Sequence, residues 1–164
     1  WTKYPNNPIF SSDRTMLWER ERTTACQVLR HGDWYYMFYI GFEDMDKARI
    51  CLARSRDGVT GWERHPENPI LSGGRAGSWD CEATYKPFVF YEPENDRWIL
   101  WYNGRRAFVE QIGVAFHDGE NLGFRGGVRR VQRMREPVTV YAEGEKIWST
   151  RRAAGSRLPS LALR

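Results

Sequence analysis

Cysteine is scarce in this chain of 164 residues: Cys26, Cys51 and Cys81 stand far apart, with no CxxC spacing. That pattern excludes a zinc finger and a disulfide-stapled scaffold. Histidine is equally thin. His31 falls in a turn, His65 precedes Pro66 and His117 precedes Asp118-Gly119, so no metal cluster stands out and neither metal nor cofactor is expected. No apolar run approaches the roughly eighteen residues that a membrane-spanning helix needs. Hardly any window has the periodicity of a long amphipathic helix. The first residue is Trp rather than Met and no charged-then-apolar leader precedes it, so a missing natural start is expected. The compartment therefore stays open, with a soluble protein, cytoplasmic or secreted, as the expectation.

Aromatic residues are what the chain has in plenty. Eight Trp, eight Tyr and eight Phe make up 15%, and hydrophobic residues reach 41%. That is too much apolar surface for a disordered chain, and the length suits one compact domain or part of a larger one. The net charge of +4 is unevenly spread. Residues 125–164 carry nine Arg and one Lys against three Glu, whereas residues 1–124 carry fifteen basic and eighteen acidic side chains. A nucleic-acid partner would rest on this tail alone. Its only large aromatics, Tyr141 and Trp148, are too few to stack bases, so no nucleic acid is expected as a partner.

An internal repeat organises the rest. Tyr4-Pro-Asn-Asn-Pro-Ile-Phe10 recurs as His65-Pro-Glu-Asn-Pro-Ile-Leu71, sixty-one positions on. The same offset relates Trp1 to Trp62, Trp18 to Trp79, Glu21 to Glu82, Val28 to Val89 and Asp57-Gly58 to Asp118-Gly119. Tyr39 and Gly41 match Tyr102 and Gly104 at sixty-three, and Ile50 and Ala53 match Ile112 and Ala115 at sixty-two, the drift that small insertions in turns produce.

Each unit reads as strands. Residues 34–40 and 98–102 are dense in aromatic and β-branched side chains, which suit a pleated, half-buried surface. The preceding strands fall at 25–29 and 87–91, joined through polar turns at Gly32-Asp33 and at 93–96. Third strands are expected at 49–54 and 111–116, and a short fourth at 61–65. A unit of about sixty residues with four antiparallel strands has the content of one β-propeller blade. The fold class is therefore all-β, a propeller with two to three blades present; a meander or sandwich of two similar sheets is the alternative. Residues 1–124 divide into the end of one blade, a blade at 18–78 and a blade at 79–124. Residues 125–164 form an Arg-rich atypical tail that reads as truncated or out of frame, or else as an insert with a hairpin around Glu143-Gly144.

The run Ala53-Arg-Ser-Arg-Asp57-Gly58-Val-Thr-Gly-Trp62, followed by Pro66-Glu-Asn68-Pro69-Ile70, resembles the five-bladed propeller glycosidases, glycoside hydrolase families 43, 32 and 62 and the related mannoside family 130. Trp79-Asp-Cys-Glu82 to Phe90, with Trp98 to Gly104, resembles the two innermost strands of their next blade. The likeness spans residues 1–124. It implies a glycoside hydrolase acting on oligosaccharides or polysaccharides, with a carbohydrate as partner and no cofactor. In family 43 a catalytic Asp often follows the Pro of the innermost strand. Here Phe88 follows Pro87, and Gln27 is its repeat equivalent, so those slots lack the carboxylate.

Glycoside hydrolysis needs two carboxyl groups, one to protonate the leaving oxygen and one to act as base or nucleophile. Innermost strands line a propeller's axis, so equivalent acids of adjacent blades converge. Glu21 and Glu82 stand just ahead of such strands, and Glu19 and Asp80 form a second equivalent pair. Glu82, Asp80 and Glu21 are therefore the catalytic candidates; repeated Trp-Glu and Trp-Asp packing features are the alternative. Glu43, Asp44 and Arg105 fall where loops would rim the same mouth. Lys86 would hold a carboxylate charged or bind phosphate, and Trp79 and Tyr85 would stack on sugar rings, though aromatics so placed also build cores. The other activities open at this point are a mannoside-type phosphorylase and a non-catalytic carbohydrate-binding propeller. A piece of this length alone is expected to be inactive.

Overall fold

The computed structural model describes residues 1–124 and, beyond them, the backbone of Tyr141–Ala142 and Glu145–Lys146. The chain is all-β, with strands β1 (Arg22–His31), β2 (Trp34–Phe42), β3 (Ala48–Ser55), β4 (Glu63–Arg64), β5 (Ala83–Glu92), β6 (Arg97–Arg106) and β7 (Val109–Asp118). Among the described residues, helical structure is confined to two single 3-10 turns at Leu17–Glu19 and Pro93–Asn95. No helix of the described residues is long and apolar enough to cross a membrane. The strands run up to four residues beyond the stretches that the sequence pattern marks. The fourth strand instead shrinks to Glu63–Arg64, because Gly61 turns out of extended geometry at φ +60° and Pro66 has no N–H to offer a ladder.

The sequence repeat is a structural repeat. β1–β2–β3 and β5–β6–β7 are both antiparallel meanders, and β1 and β5 both have ten residues. Both carry a β-bulge at the same place: register shifts between Thr24 and Cys26 in one, and between Tyr85 and Phe88 in the other. The residues at the two bulges, Ala25 and Lys86, are sixty-one apart, and both adopt positive φ, +24° and +53°. Non-glycine residues avoid that region, so its recurrence marks a built-in bend in each first strand.

The two meanders meet in two ways. Edge to edge they join at one parallel pair, Ala48 with Ala83, giving an open seven-stranded sheet in the order β1-β2-β3-β5-β6-β7, with β4 on β3. Face to face, Phe38, Ile50 and Leu52 of the first pack against Val89, Trp98, Leu100 and Tyr102 of the second, closed by Phe124. Gln27 fastens the two first strands, its amide donating to the Val89 carbonyl at 2.8 Å and accepting the Val89 N–H at 2.5 Å. A smaller core of Met37, Tyr39, Cys51 and Ala53 is covered by Phe10, Trp18 and Trp62. Because β1 runs parallel to β3, and β3 parallel to β5, the two first strands begin at the same end of the sheet.

Residues 1–124 belong to one compact unit. Separately, β8 (Tyr141–Ala142) pairs antiparallel with β9 (Glu145–Lys146). The remainder of the Arg-rich tail lies outside the described residues.

Candidate functional site

Four acids head the two first strands, and they divide into an inner and an outer pair. Glu19 and Asp80 are the inner pair, both buried. Glu19 accepts from the Asp13 N–H at 2.9 Å, from the Tyr39 hydroxyl at 2.5 Å and from Arg64, whose Nη2 lies 2.8 Å from Oε2. Burial pushes its carboxyl up. The Arg64 guanidinium, the Asp13 amide and the Tyr39 hydroxyl together more than offset this and hold it below the ordinary carboxylate range. Asp80 accepts from the Gly74 N–H at 3.1 Å, the Ser78 hydroxyl at 2.9 Å and the Tyr102 hydroxyl at 3.2 Å. Burial, reinforced by Asp80, pushes the Tyr102 hydroxyl up to about 12. Tyr39 and Tyr102 are repeat equivalents, so each unit ties its inner acid to its second strand by one tyrosine.

The second strands also make room for these segments. A Cβ at Gly41 would collide with the Trp18 carbonyl, and one at Gly104 with the Trp79 ring and the Asp80 Cβ. Glycine at both positions lets the Trp-acid segment lie directly on the strand.

Glu21 and Glu82 are the outer pair, and each immediately precedes its strand. Their backbone N–H groups donate to equivalent carbonyls, Phe42 for Glu21 at 3.0 Å and Arg105 for Glu82 at 3.2 Å. Both carboxylates reach solvent. Glu82 Oε2 accepts the Ala107 N–H at 2.8 Å and lies 4.0 Å from Arg105 Nε. Glu21 Oε1 lies 3.8 Å from Arg22 Nη1. Glu82 opens onto a groove between the β2–β3 and β6–β7 loops, lined by Asp44, Met45, Asp46, Lys47, Cys81, Arg105, Ala107 and Phe108.

The structure thus brings Glu82, Asp44 and Arg105 to one groove. Arg105 belongs to β6 rather than to a loop; its Nη2 donates to the Asp46 carbonyl at 2.6 Å and ties the two rims together. Asp44 accepts the N–H groups of Lys47 and Asp46, which hold its carboxyl below the usual range. Glu43 stands beside it, paired with Lys47 at 3.4 Å. Trp79 lies apart from this groove. It stacks on Tyr102 with centroids 5.7 Å apart and edges a second depression with Arg106, Ala107, Val109 and Gln111.

Tyr85 and Lys86 converge on Glu110, which the sequence reading did not single out. Glu110 accepts from Lys86 at 3.4 Å and from Asn103 at 2.9 Å. The Tyr85, Asn103 and Lys86 contacts hold its carboxyl low, while burial and Glu110 push the Tyr85 hydroxyl up to about 12. Glu110 has no counterpart in the repeat, since Ala48 stands sixty-two positions before it, so matching the two units does not find it. Arg64, the partner of Glu19, was equally silent; its pairing depends on β4, which the repeat marks only as a strand.

Among the described residues no group of three or more His, Cys, Asp or Glu side chains is placed to hold a metal ion. What the groove offers chemically is carboxylates beside guanidinium and amide donors, open to water. Such a set can donate and accept hydrogen bonds and can move protons.

The chain matches no protein-family profile and no curated protein sequence. It does match solved structures. One described as "Glycoside hydrolase" superposes with a TM-score of 0.57 at 23% identity, over 79% of this chain and 34% of that one. Another, BT0996 in a complex with RGII, gives 0.55 at 23% identity over the same shares. Zg3597, a family 117 glycoside hydrolase produced by the marine bacterium Zobellia galactanivorans, gives 0.53 at 18% identity, over 70% of this chain and 32% of that one. The chain spans about a third of the length of these structures, and over that third it shares the fold of glycoside hydrolases.

Proposed function

We propose that this chain supplies adjacent blades of a five-bladed β-propeller glycoside hydrolase related to families 43, 32, 62 and 130, acting on oligosaccharides or polysaccharides. The observation that carries the reading is the placement of Glu21 and Glu82. They are repeat-equivalent, solvent-reaching acids at the heads of two first strands that begin at the same end of the sheet. The shared fold with glycoside hydrolase structures supports it.

In this reading Glu82 and Glu21, or one of them with a carboxylate from a further blade, flank the scissile bond. One protonates the glycosidic oxygen as it leaves; the other takes a proton from the attacking water or itself attacks the anomeric carbon. The Ala107 amide and Arg105 orient Glu82. Asp80, enclosed by its own donors, acts as a positioning residue that seats the Trp79-to-Glu82 segment. Asp44, Glu43, Lys86 and Arg105 supply polar contacts to sugar hydroxyls, and Trp79 and Tyr85 supply ring faces.

The test is turnover of aryl glycosides and oligosaccharides by a polypeptide carrying this chain within a complete propeller, with and without Glu82→Gln. The substitution keeps the shape and removes the titratable proton. Turnover should fall by about a hundredfold or more, with folding and sugar binding retained. An unchanged rate would remove Glu82 from the mechanism, and sugar binding without turnover in the parent would replace hydrolysis by recognition.

A further inference from the structure

The three histidines of the chain, far apart in sequence, all bond to one five-residue segment. That segment, Glu120 to Phe124, follows β7 and crosses from the second repeat unit onto the first. His31, the last residue of β1, has its Nε2 2.8 Å from Oε1 of Glu120. His117, in β7, bonds to the Asn121 carbonyl at 3.0 Å, and His65, just after β4, to the Leu122 carbonyl at 2.7 Å. The Trp98 indole N–H donates to the Glu120 carbonyl at 3.0 Å. Phe124, at the end of the segment, is 6% exposed and closes the core between the two meanders. Its ring meets His65 edge to face, with centroids 4.8 Å apart, and the Arg54 guanidinium lies 4.4 Å from its centroid. Gly123 takes φ +85°, and a Cβ there would lie 3.0 Å from His65 Nε2, so the segment runs directly over the imidazole.

His65 is the buried member of the three, and both its ring nitrogens are engaged. Nε2 faces a carbonyl, so it carries the proton; Nδ1 accepts the Glu67 N–H at 3.1 Å. Only the neutral ring satisfies both partners. A second proton, on Nδ1, would stand against the Glu67 N–H. Around the ring are the Arg54 guanidinium from β3 and a second imidazole, His117 from β7, while Glu67 supplies negative charge. Glu120, on the segment itself, is engaged by His31. Burial, with Arg54 and His117, outweighs the Leu122 carbonyl and Glu67 and holds the imidazole below its ordinary 6.5. We propose that residues 120–124 are a strap that His65 holds closed while neutral and releases on protonation, loosening the seam between the two meanders in mildly acidic surroundings. The released chain takes up the proton first. The hold of His65 is therefore fully present above pH about 6.5 and weakens as pH falls below it. The strap works independently of any reaction at the Glu82 groove.

The experiment follows the full 164-residue chain by hydroxyl-radical labelling from about pH 8 to about pH 5, the range in which histidine titrates. Phe124 reports the strap, Phe38 the core that it closes, and the exposed Phe108 the radical dose. Phe124 labelling should rise as pH falls, by up to about tenfold per pH unit, the limit for one proton, while Phe38 stays protected. The rise should track the titration of the His65 ring read by NMR. His65→Gln keeps an N–H for the Leu122 carbonyl and takes no proton, so Phe124 should stay protected throughout. His31→Gln and His117→Gln should keep the rise. A flat Phe124 response overturns the assignment, as does a rise that persists in His65→Gln or vanishes in either of the other two variants. Phe38 rising together with Phe124 would make the event general unfolding and overturn it equally. Should His65→Gln not fold, the two midpoints in the unaltered chain decide: coincidence supports the strap and separation rejects it.

Discussion

The hydroxyl of Tyr39 donates to Oε1 of Glu19 at 2.5 Å, within a buried cluster that Arg64 neutralises. Sixty-three positions after Tyr39, Tyr102 makes the corresponding bond to Asp80. The first acid has a guanidinium partner. The second has a Ser78 hydroxyl and a Gly74 amide instead, although both units solve one problem: fixing a loop segment onto the second strand of its meander.

Removing the guanidinium leaves a buried carboxylate without its counter-charge. Arg64→Met should therefore destabilise the chain by about 3–5 kcal/mol, read as a lower urea midpoint with little change in slope. Adding Glu19→Met to Arg64→Met should recover much of that loss, because the stranded charge is gone.

The same cluster sets an acid limit. The Glu19 carboxyl is held below its ordinary value of 4.5 in the folded chain. A depressed folded value means that the unfolded chain takes up the proton first. The stabilisation is thus present above pH about 4.5 and is lost as pH falls below it toward the folded value. Thermal midpoints measured against pH should drop through that window, and Glu19→Gln should flatten this part of the profile.

Close approach at the two glycines should be intolerant of even one methyl. Gly104→Ala drives a Cβ into the Trp79 ring and Asp80, and Gly41→Ala drives one into the Trp18 backbone. Each should cost about 1–3 kcal/mol or more. Trp79→Leu should partly rescue Gly104→Ala, because a side chain can be trimmed, whereas no side-chain change should rescue Gly41→Ala, where the obstacle is a carbonyl. Chemical denaturation of these variants distinguishes the two cases.

Gln27 bridges the two meanders through both backbone groups of Val89. Gln27→Leu keeps the bulk and strands a half-buried N–H and carbonyl, so it should cost about 1–3 kcal/mol. Amide exchange at Val89 should accelerate more than exchange at Leu100 in the neighbouring strand.

Much of this fold is local in origin, and to that extent it is written along the chain. The aromatic and β-branched runs at 34–40 and 98–102 form strands because such side chains fill a pleated surface, and the offsets near sixty-one made the two meanders legible before any contact was known. Glu21 and Glu82 were legible in the same way, as equivalent acids ahead of equivalent strands. Glu110 and Arg64 were not. Neither has a counterpart doing the same work in the other unit, and their partners, Lys86 with Asn103 and Glu19, come from other strands or distant turns.

Local chemistry along the chain thus dictates the all-β class, the repeat and the end of the sheet to which the outer acids belong, because periodicity and turn chemistry act over a few residues. The fate of each acid was left to tertiary contacts. Glu19 and Asp80 are enclosed while Glu21 and Glu82 reach water, although only Arg20 stands between Glu19 and Glu21 and only Cys81 between Asp80 and Glu82. Enclosure depends on Tyr39, Tyr102 and Arg64, which come within hydrogen-bonding distance only when the strands pair. Tertiary packing also selects which of two equivalent apolar faces is dry. Ile50 and Ile112 are the same residue in the same repeat position; one is buried because the second meander packs on it, and the other is exposed because no described residue does.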